Sequence, residues 1–141
     1  MLTINPYLNF PGTTEEAFNF YKSVFGGEFA MLQRFSDTPE GDKVPADVKD
    51  KIMHVALPIG GNVLMATDAV ESMGFSLTPG NNMYICISPE SKEEADRIFN
   101  GLAEGGKVSM PLQDMFWGAY YGDLTDKFGV RWMVNYMKNP G

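Results

Sequence analysis

Apolar residues recur along this chain with two periods, one near four and one near two, and their order lays out the same plan twice. The first stretch of the longer period follows Thr13-Thr14-Glu15-Glu16. Ala17, Phe20, Tyr21 and Val24 fall on one helical face there, extended by Phe18 and Phe25. Thr13 stands three residues before Glu16, the spacing of a capping box, and Gly26-Gly27 supplies a left-handed stop. The second stretch repeats these features. Ser91 precedes Glu94 by three, Ala95, Ile98, Phe99 and Leu102 form the apolar face, and Gly105-Gly106 closes it. An extended segment leads into each helix, INPYLNF into the first and NNMYICIS into the second.

The shorter period follows each helix. Residues 28–35, 51–59 and 62–67 read as strands after the first, with Gly60-Gly61 as a tight hairpin between the last two. Residues 107–112, 115–124 and 130–136 read as strands after the second, the last pair joined by TDKFG. Cap, apolar face, glycine stop and flanking strands match in order, which points to duplication. The expectation is an α+β fold, one domain over 1–141, built from βαβββ modules at about 1–70 and 80–137. One helix covers only one face of such a sheet. Two sheets can curl around a shared interior, and that interior is the natural place for a ligand. Between the strands, Pro39, Gly41 and Pro45 argue against a regular element over 36–50, whose charges should face water. The loop over 68–80 carries Val70, Met73, Phe75 and Leu77, which either cover a cavity or a partner or dock onto the core.

Composition narrows the function classes. With 44% hydrophobic and 21% charged residues, the 141-residue chain is globular. Ten Phe and ten Met supply either an adaptable core or an apolar ligand cavity. Eleven basic against eighteen acidic residues give a formal charge of −7, which repels phosphate backbones and excludes nucleic acid as the expected partner. The opening MLTINPYLNF lacks the charged leader and apolar core of a signal peptide. No apolar run approaches the roughly 20 residues of a membrane helix, so a cytoplasmic location with no membrane partner is expected. Cys86 is the only cysteine, which excludes an internal disulfide, and its place in MYICIS suggests a buried, inert thiol.

Three segments carry a family likeness: PYLNFPGTTEEAFNFYKSVFGGEF, KIMHVALPIGGNVLMATD, and ESKEEADRIFNGLAEGGKVSMPLQDMFWGAYYGDLTDKFGVRWMVNY. Together they resemble the PhnB-like branch of the glyoxalase/bleomycin-resistance/dioxygenase superfamily, also called vicinal oxygen chelate. The likeness runs from Pro6 to about Tyr136, and LQDMFWGAYYGDLTDKFGVRW is its most specific part. It implies paired βαβββ modules, a homodimer, and a divalent metal held on the concave sheet by His and carboxylate ligands. Such a metal takes vicinal oxygens of the substrate and stabilises an anionic intermediate. At the places where that family carries ligands this sequence departs. The opening strand offers Tyr7 and Asn9, the fourth strand Met65, the opening strand of the second module Met83, Tyr84 and Cys86, and the last strand Met133. Thioethers do not replace carboxylates for a hard or borderline ion, so no metal or other cofactor is expected. Some relatives bear the label of demethylubiquinone methyltransferase, but nothing in this chain looks like an S-adenosylmethionine site.

What remains for chemistry is scattered. His54, the only histidine, has two open readings: a structural imidazole satisfied by one partner, or a catalytic base or donor at a cavity wall. Strand alternation puts it on one face with Ala56 and Pro58, against Met53, Val55 and Leu57 on the other. Asp68, Asp114 and Asp123 are the carboxylates available to it, and no spacing forces them together. Gln113 and Trp117, in QDMFWG, suit a polar head group against an aromatic wall, or a turn with Asp114 exposed. Tyr120 and Tyr121 point to opposite faces. Arg131 is a cation for an anionic ligand, or else a partner of Asp126 or Asp123. Asn9 is a polar group in an apolar strand. The reading is a small-molecule binder whose pocket is lined by Tyr7, Asn9, His54, Gln113, Trp117 and Arg131, with the substrate unknown. The alternatives are a metal-dependent lyase or dioxygenase with ligands shifted around His54, and a resistance-type binding protein without turnover.

Overall fold

The computed structural model describes residues 2–138, which form two compact units, one up to Thr78 and one from Pro79. In the first unit, strand β1 (Tyr7–Phe10) is followed by helix α1 (Thr14–Phe25) and strands β2 (Met31–Arg34), β3 (Ile52–Ile59) and β4 (Asn62–Asp68). The second repeats the order with β5 (Ile85–Ile87), α2 (Lys92–Ala103), β6 (Lys107–Asp114), β7 (Ala119–Thr125) and β8 (Arg131–Met137). The sheets have the strand orders β1-β4-β3-β2 and β5-β8-β7-β6, with the first pair of each parallel and the rest antiparallel. The βαβββ repeat read from the sequence is therefore present, with both helices at 12 residues.

In the first unit α1 buries Ala17, Phe18, Tyr21 and Val24 against Phe10, Val55, Leu57, Leu64 and Ala66. Phe20, placed on the apolar stripe by spacing, is only half-buried, while Phe18 is fully buried. The expected capping box at Thr13 does not form, because Thr13 makes no side-chain cap bond. A carboxylate from the far end of the sheet takes over. Asp68, buried at the end of β4, accepts from Thr14 N at 3.0 Å and from Ile52 N at 2.8 Å. It ties the helix start to the start of β3, which local spacing could not reveal. The charged residues of the 36–50 loop face water as read, while Val48 is fully buried and short 3₁₀ turns form at Phe35–Asp37 and Gly41–Lys43. In the 68–80 loop Met73 and Phe75 stay about half exposed.

In the second unit Ala95, Ile98, Phe99 and Leu102 of α2 are all buried, as their spacing implied. Ser91 caps the helix by accepting from Glu94 N, while the Glu94 carboxylate reaches one residue past the cap, to Glu90 N. Gly122 of β7 lets the helix sit close: a Cβ there would stand 2.8 Å from Phe99 Cε2. The strand expected at 115–124 begins only at Ala119, because Met115–Gly118 is the hairpin turn, closed by Met115 N donating to Ala119 O at 2.8 Å. The TDKFG turn is organised by buried Asp126. One carboxylate oxygen accepts from Phe128 N and Val130 N, and the other accepts from Trp132 Nε1 at 2.9 Å.

Candidate functional site

Register assigns each side chain to the helix-covered or the helix-free face of its sheet. Tyr7 pairs with Met65, Met65 with Ala56, and Ala56 with Met31. Asn9 pairs with Thr67 and His54 with Gln33, two residues along, so both rows lie on one face. The neighbours Phe10, Ala66, Val55 and Leu57 belong to the other face, the buried one beneath α1. Tyr7, Asn9 and His54 thus share the helix-free face of the first sheet.

Two of the three touch. The Tyr7 hydroxyl lies 3.2 Å from His54 Nδ1, and the rings stack with centroids 5.7 Å apart at 29°. Burial of the phenol pushes its pKa above the ordinary tyrosine value. The contact spans β1 and β3 over the intervening β4, and nothing in the sequence spacing announces it. Asn9 stays exposed. Asp68, one of the carboxylates considered for His54, serves backbone amides on the covered face instead.

In the second unit the helix-free face carries Cys86, Met133, Asp123 and Met110 in one cross-strand row, with Gln113, Tyr121 and Asn135 in the next. Tyr121 donates to Asp123 Oδ2 at 3.0 Å, and burial followed by that bond pushes its pKa to about 12. Tyr120 points the other way, donating to Asp96 of α2 at 2.5 Å, so the opposed orientation of the two tyrosines holds. Trp117, half exposed at the hairpin tip, meets Tyr121 edge-on at 6.3 Å. Gln113 is opposite Tyr121 and gives its amide to Pro111 O, which gathers Gln113, Trp117 and Tyr121 at one end of β7. Arg131 stands at the other end, opposite Thr125, about 13 Å along the strand from the Tyr121–Asn135 pair. It pairs with neither Asp123 nor Asp126. Its guanidinium lies over the Tyr84 ring at 4.1 Å and donates to Tyr84 Oη and Asn81 O. Tyr84, which the sequence reading named only as standing at a ligand place of the family, is what holds this cation.

Cys86 corrects another expectation: it is exposed, not buried. Partial desolvation still raises the pKa of its thiol, which keeps it protonated at neutral pH. Asp114, exposed as its turn reading allowed, pairs with Lys138, whose ammonium holds the carboxyl below the usual range.

Of the places where the family likeness implies metal ligands, four fall in two facing pairs. Tyr7 faces Met65 in the first module and Cys86 faces Met133 in the second. A phenol, a protonated thiol and two thioethers do not fit a divalent ion that prefers imidazole and carboxylate. Among the described residues no group of three or more His, Cys, Asp or Glu is placed to hold a metal. No helix among them is long and apolar enough to cross a membrane.

Comparison with known proteins gives a consistent relationship. A family model described as 3-demethylubiquinone-9 3-methyltransferase matches residues 2–135. The chain belongs to that family, a PhnB-like branch of the glyoxalase/bleomycin-resistance superfamily. It is 30% identical to protein YjdN of Escherichia coli over 97% of both chains. The crystal structure of PA1353 from Pseudomonas aeruginosa superposes with a TM-score of 0.86 at 44% identity, covering 99% of this chain and all of that one. The PhnB protein of Bacillus cereus follows at 0.72 and 29%, covering 96% and 99%. Tandem βαβββ modules with mixed sheets are the architecture of these PhnB-like proteins.

Proposed function

We propose that this protein binds a small molecule on the helix-free faces of its sheets, through hydrogen bonds and aromatic surface, with no divalent ion gripping the ligand. The observation that carries this reading is the donor set at the equivalent strand pairs, Tyr7 with Met65 and Cys86 with Met133. Those pairs hold no carboxylate or imidazole, and polar aromatic groups stand in and around them. Tyr7, His54 and Asn9 form the contact set of the first module; Arg131 on Tyr84, and Gln113 with Trp117, form those of the second. His54 is the one candidate catalytic group, as a hydrogen-bond donor toward the ligand.

The family description names a methyl transfer. A donor of the S-adenosylmethionine type carries an amino-acid head whose carboxylate suits amides at a helix N-terminus. Here the Thr14 amide at the start of α1 already serves the Asp68 carboxylate, and Ser91 and Glu94 close α2. These residues do not fit the group, and we assign no methyl transfer to them. We place the protein in the cytoplasm as a homodimer, on the family likeness and on exposed apolar side chains such as Phe116, 97% accessible, and Met83.

Native mass spectrometry after incubation with a small-molecule cell extract tests the proposal. The expected result is a small organic adduct that survives a chelator. An adduct lost with the chelator, or none at all, would contradict it.

A further inference from the structure

Resting on that reading, we infer that the Tyr7–His54 pair is a fixed hydrogen-bond donor which recognises a carbonyl-type oxygen, and that it is neither a general base nor a proton relay. The geometry leaves one proton to assign. The Tyr7 hydroxyl and His54 Nδ1 are 3.2 Å apart and share a single hydrogen bond. An sp² imidazole nitrogen is a much better acceptor than a phenol oxygen, whose lone pair is drawn into the ring. The phenol is also held in its protonated form by burial. Tyr7 therefore donates and Nδ1 accepts. A neutral imidazole that accepts at one nitrogen carries its proton on the other, so His54 presents Nε2–H.

Nε2 is available for that task. Half-buried His54 has no second protein partner among the described residues, and the nitrogen is not sealed from solvent. The stacking of the two rings fixes the direction of the imidazole. A relay would need Tyr7 to pass its proton to Nδ1 as Nε2 released one, leaving a phenolate in a place that disfavours it. The complement is a ligand with an oxygen acceptor at Nε2 and a flat apolar body against the exposed Tyr7 ring, with the Asn9 amide on the same face.

Because His54 is the only histidine, a protein labelled with ¹⁵N in its imidazole gives one unambiguous spin system. At a pH where the ring is neutral, the expected pattern is an unprotonated Nδ1, a protonated Nε2, and a Tyr7 hydroxyl proton correlated with Nδ1. In Tyr7→Phe that correlation is lost and Nδ1 moves downfield, toward an acceptor with no donor, while circular dichroism shows the fold retained. Protonated Nδ1 in the wild-type protein, or an Nδ1 resonance unmoved by Tyr7→Phe, would overturn the assignment of the donor. The ligand class is tested with acetophenone and its acceptor-free isostere α-methylstyrene. Acetophenone should shift Nε2 and α-methylstyrene should not. Equal shifts with both would sink the carbonyl preference and leave small-molecule binding standing; no shift with either would also sink it.

Discussion

Asp68 in the first module and Asp126 in the second, both buried, carry more of the fold than their exposed neighbours do. Asp68 takes two backbone amides and Asp126 takes two amides and an indole. Removing either leaves buried donors without partners, at about 1–3 kcal/mol for each group left unmet. Asp126→Ala should lower the unfolding free energy by about 3 kcal/mol in a denaturant titration. Asp126→Asn should cost less, since its carbonyl keeps the two amides and only the bond to Trp132 is lost. Equal stability of the alanine variant and the wild type would refute this role. Tyr120 and Tyr121 give a second residue-scale test, with pKa values pushed to about 12. For Tyr120 the bond to Asp96 leads, and for Tyr121 burial does. In the unfolded chain both ionise near 10, so between about 10 and 12 the unfolded state binds fewer protons and stability falls as pH rises. Absorbance titration of the phenols should show Tyr120 and Tyr121 ionising late, a phase lost stepwise in Tyr120→Phe and Tyr121→Phe. A single transition near 10 for all six tyrosines would contradict it. Neither carboxylate role was legible from the sequence, because both are long-range or turn-specific bonds that leave no periodic trace. The Tyr7–His54 contact was hidden in the same way, by a whole strand lying between them.

Elements were far more legible. Periodicity placed both helices, and alternation placed His54 opposite Val55 and Leu57, because burial against one helix imposes those patterns on the chain. Ends were less secure where turn chemistry competes. Met115–Gly118 is apolar enough to read as strand, yet Gly118 at φ 92° and the closing bond to Ala119 make it a hairpin tip. Helix and sheet meet closely at Gly122, where a methyl would also stand 2.9 Å from Leu112 N and Met110 O of the neighbouring strand. Gly122→Ala should therefore destabilise by about 1–3 kcal/mol through overpacking. Gly61→Ala, at a hairpin position with nothing within 4 Å of the added carbon and no positive φ, should change stability little. Thermal unfolding of the two variants decides it, and a Gly122→Ala protein as stable as Gly61→Ala would show that the sheet and helix can move apart freely.

At the scale of the whole molecule, the two modules repeat one topology, and in both the places where the family likeness implies a metal lack the donors a metal would want. Tyr7 with Met65 and Cys86 with Met133 occupy corresponding registers, and neither pair keeps a carboxylate or an imidazole. The homodimer we propose is checked by sedimentation equilibrium, where a mass of twice the 15.6 kDa chain is expected and a concentration-independent monomer would exclude it. The most direct test of a metal-free ligand face is elemental analysis of protein purified without chelator, repeated after incubation with Ni²⁺, Zn²⁺, Mn²⁺ or Fe²⁺ and desalting. Each ion should be retained at well below one per chain, with no difference between wild type and His54→Ala. One equivalent per chain that disappears in His54→Ala would contradict it.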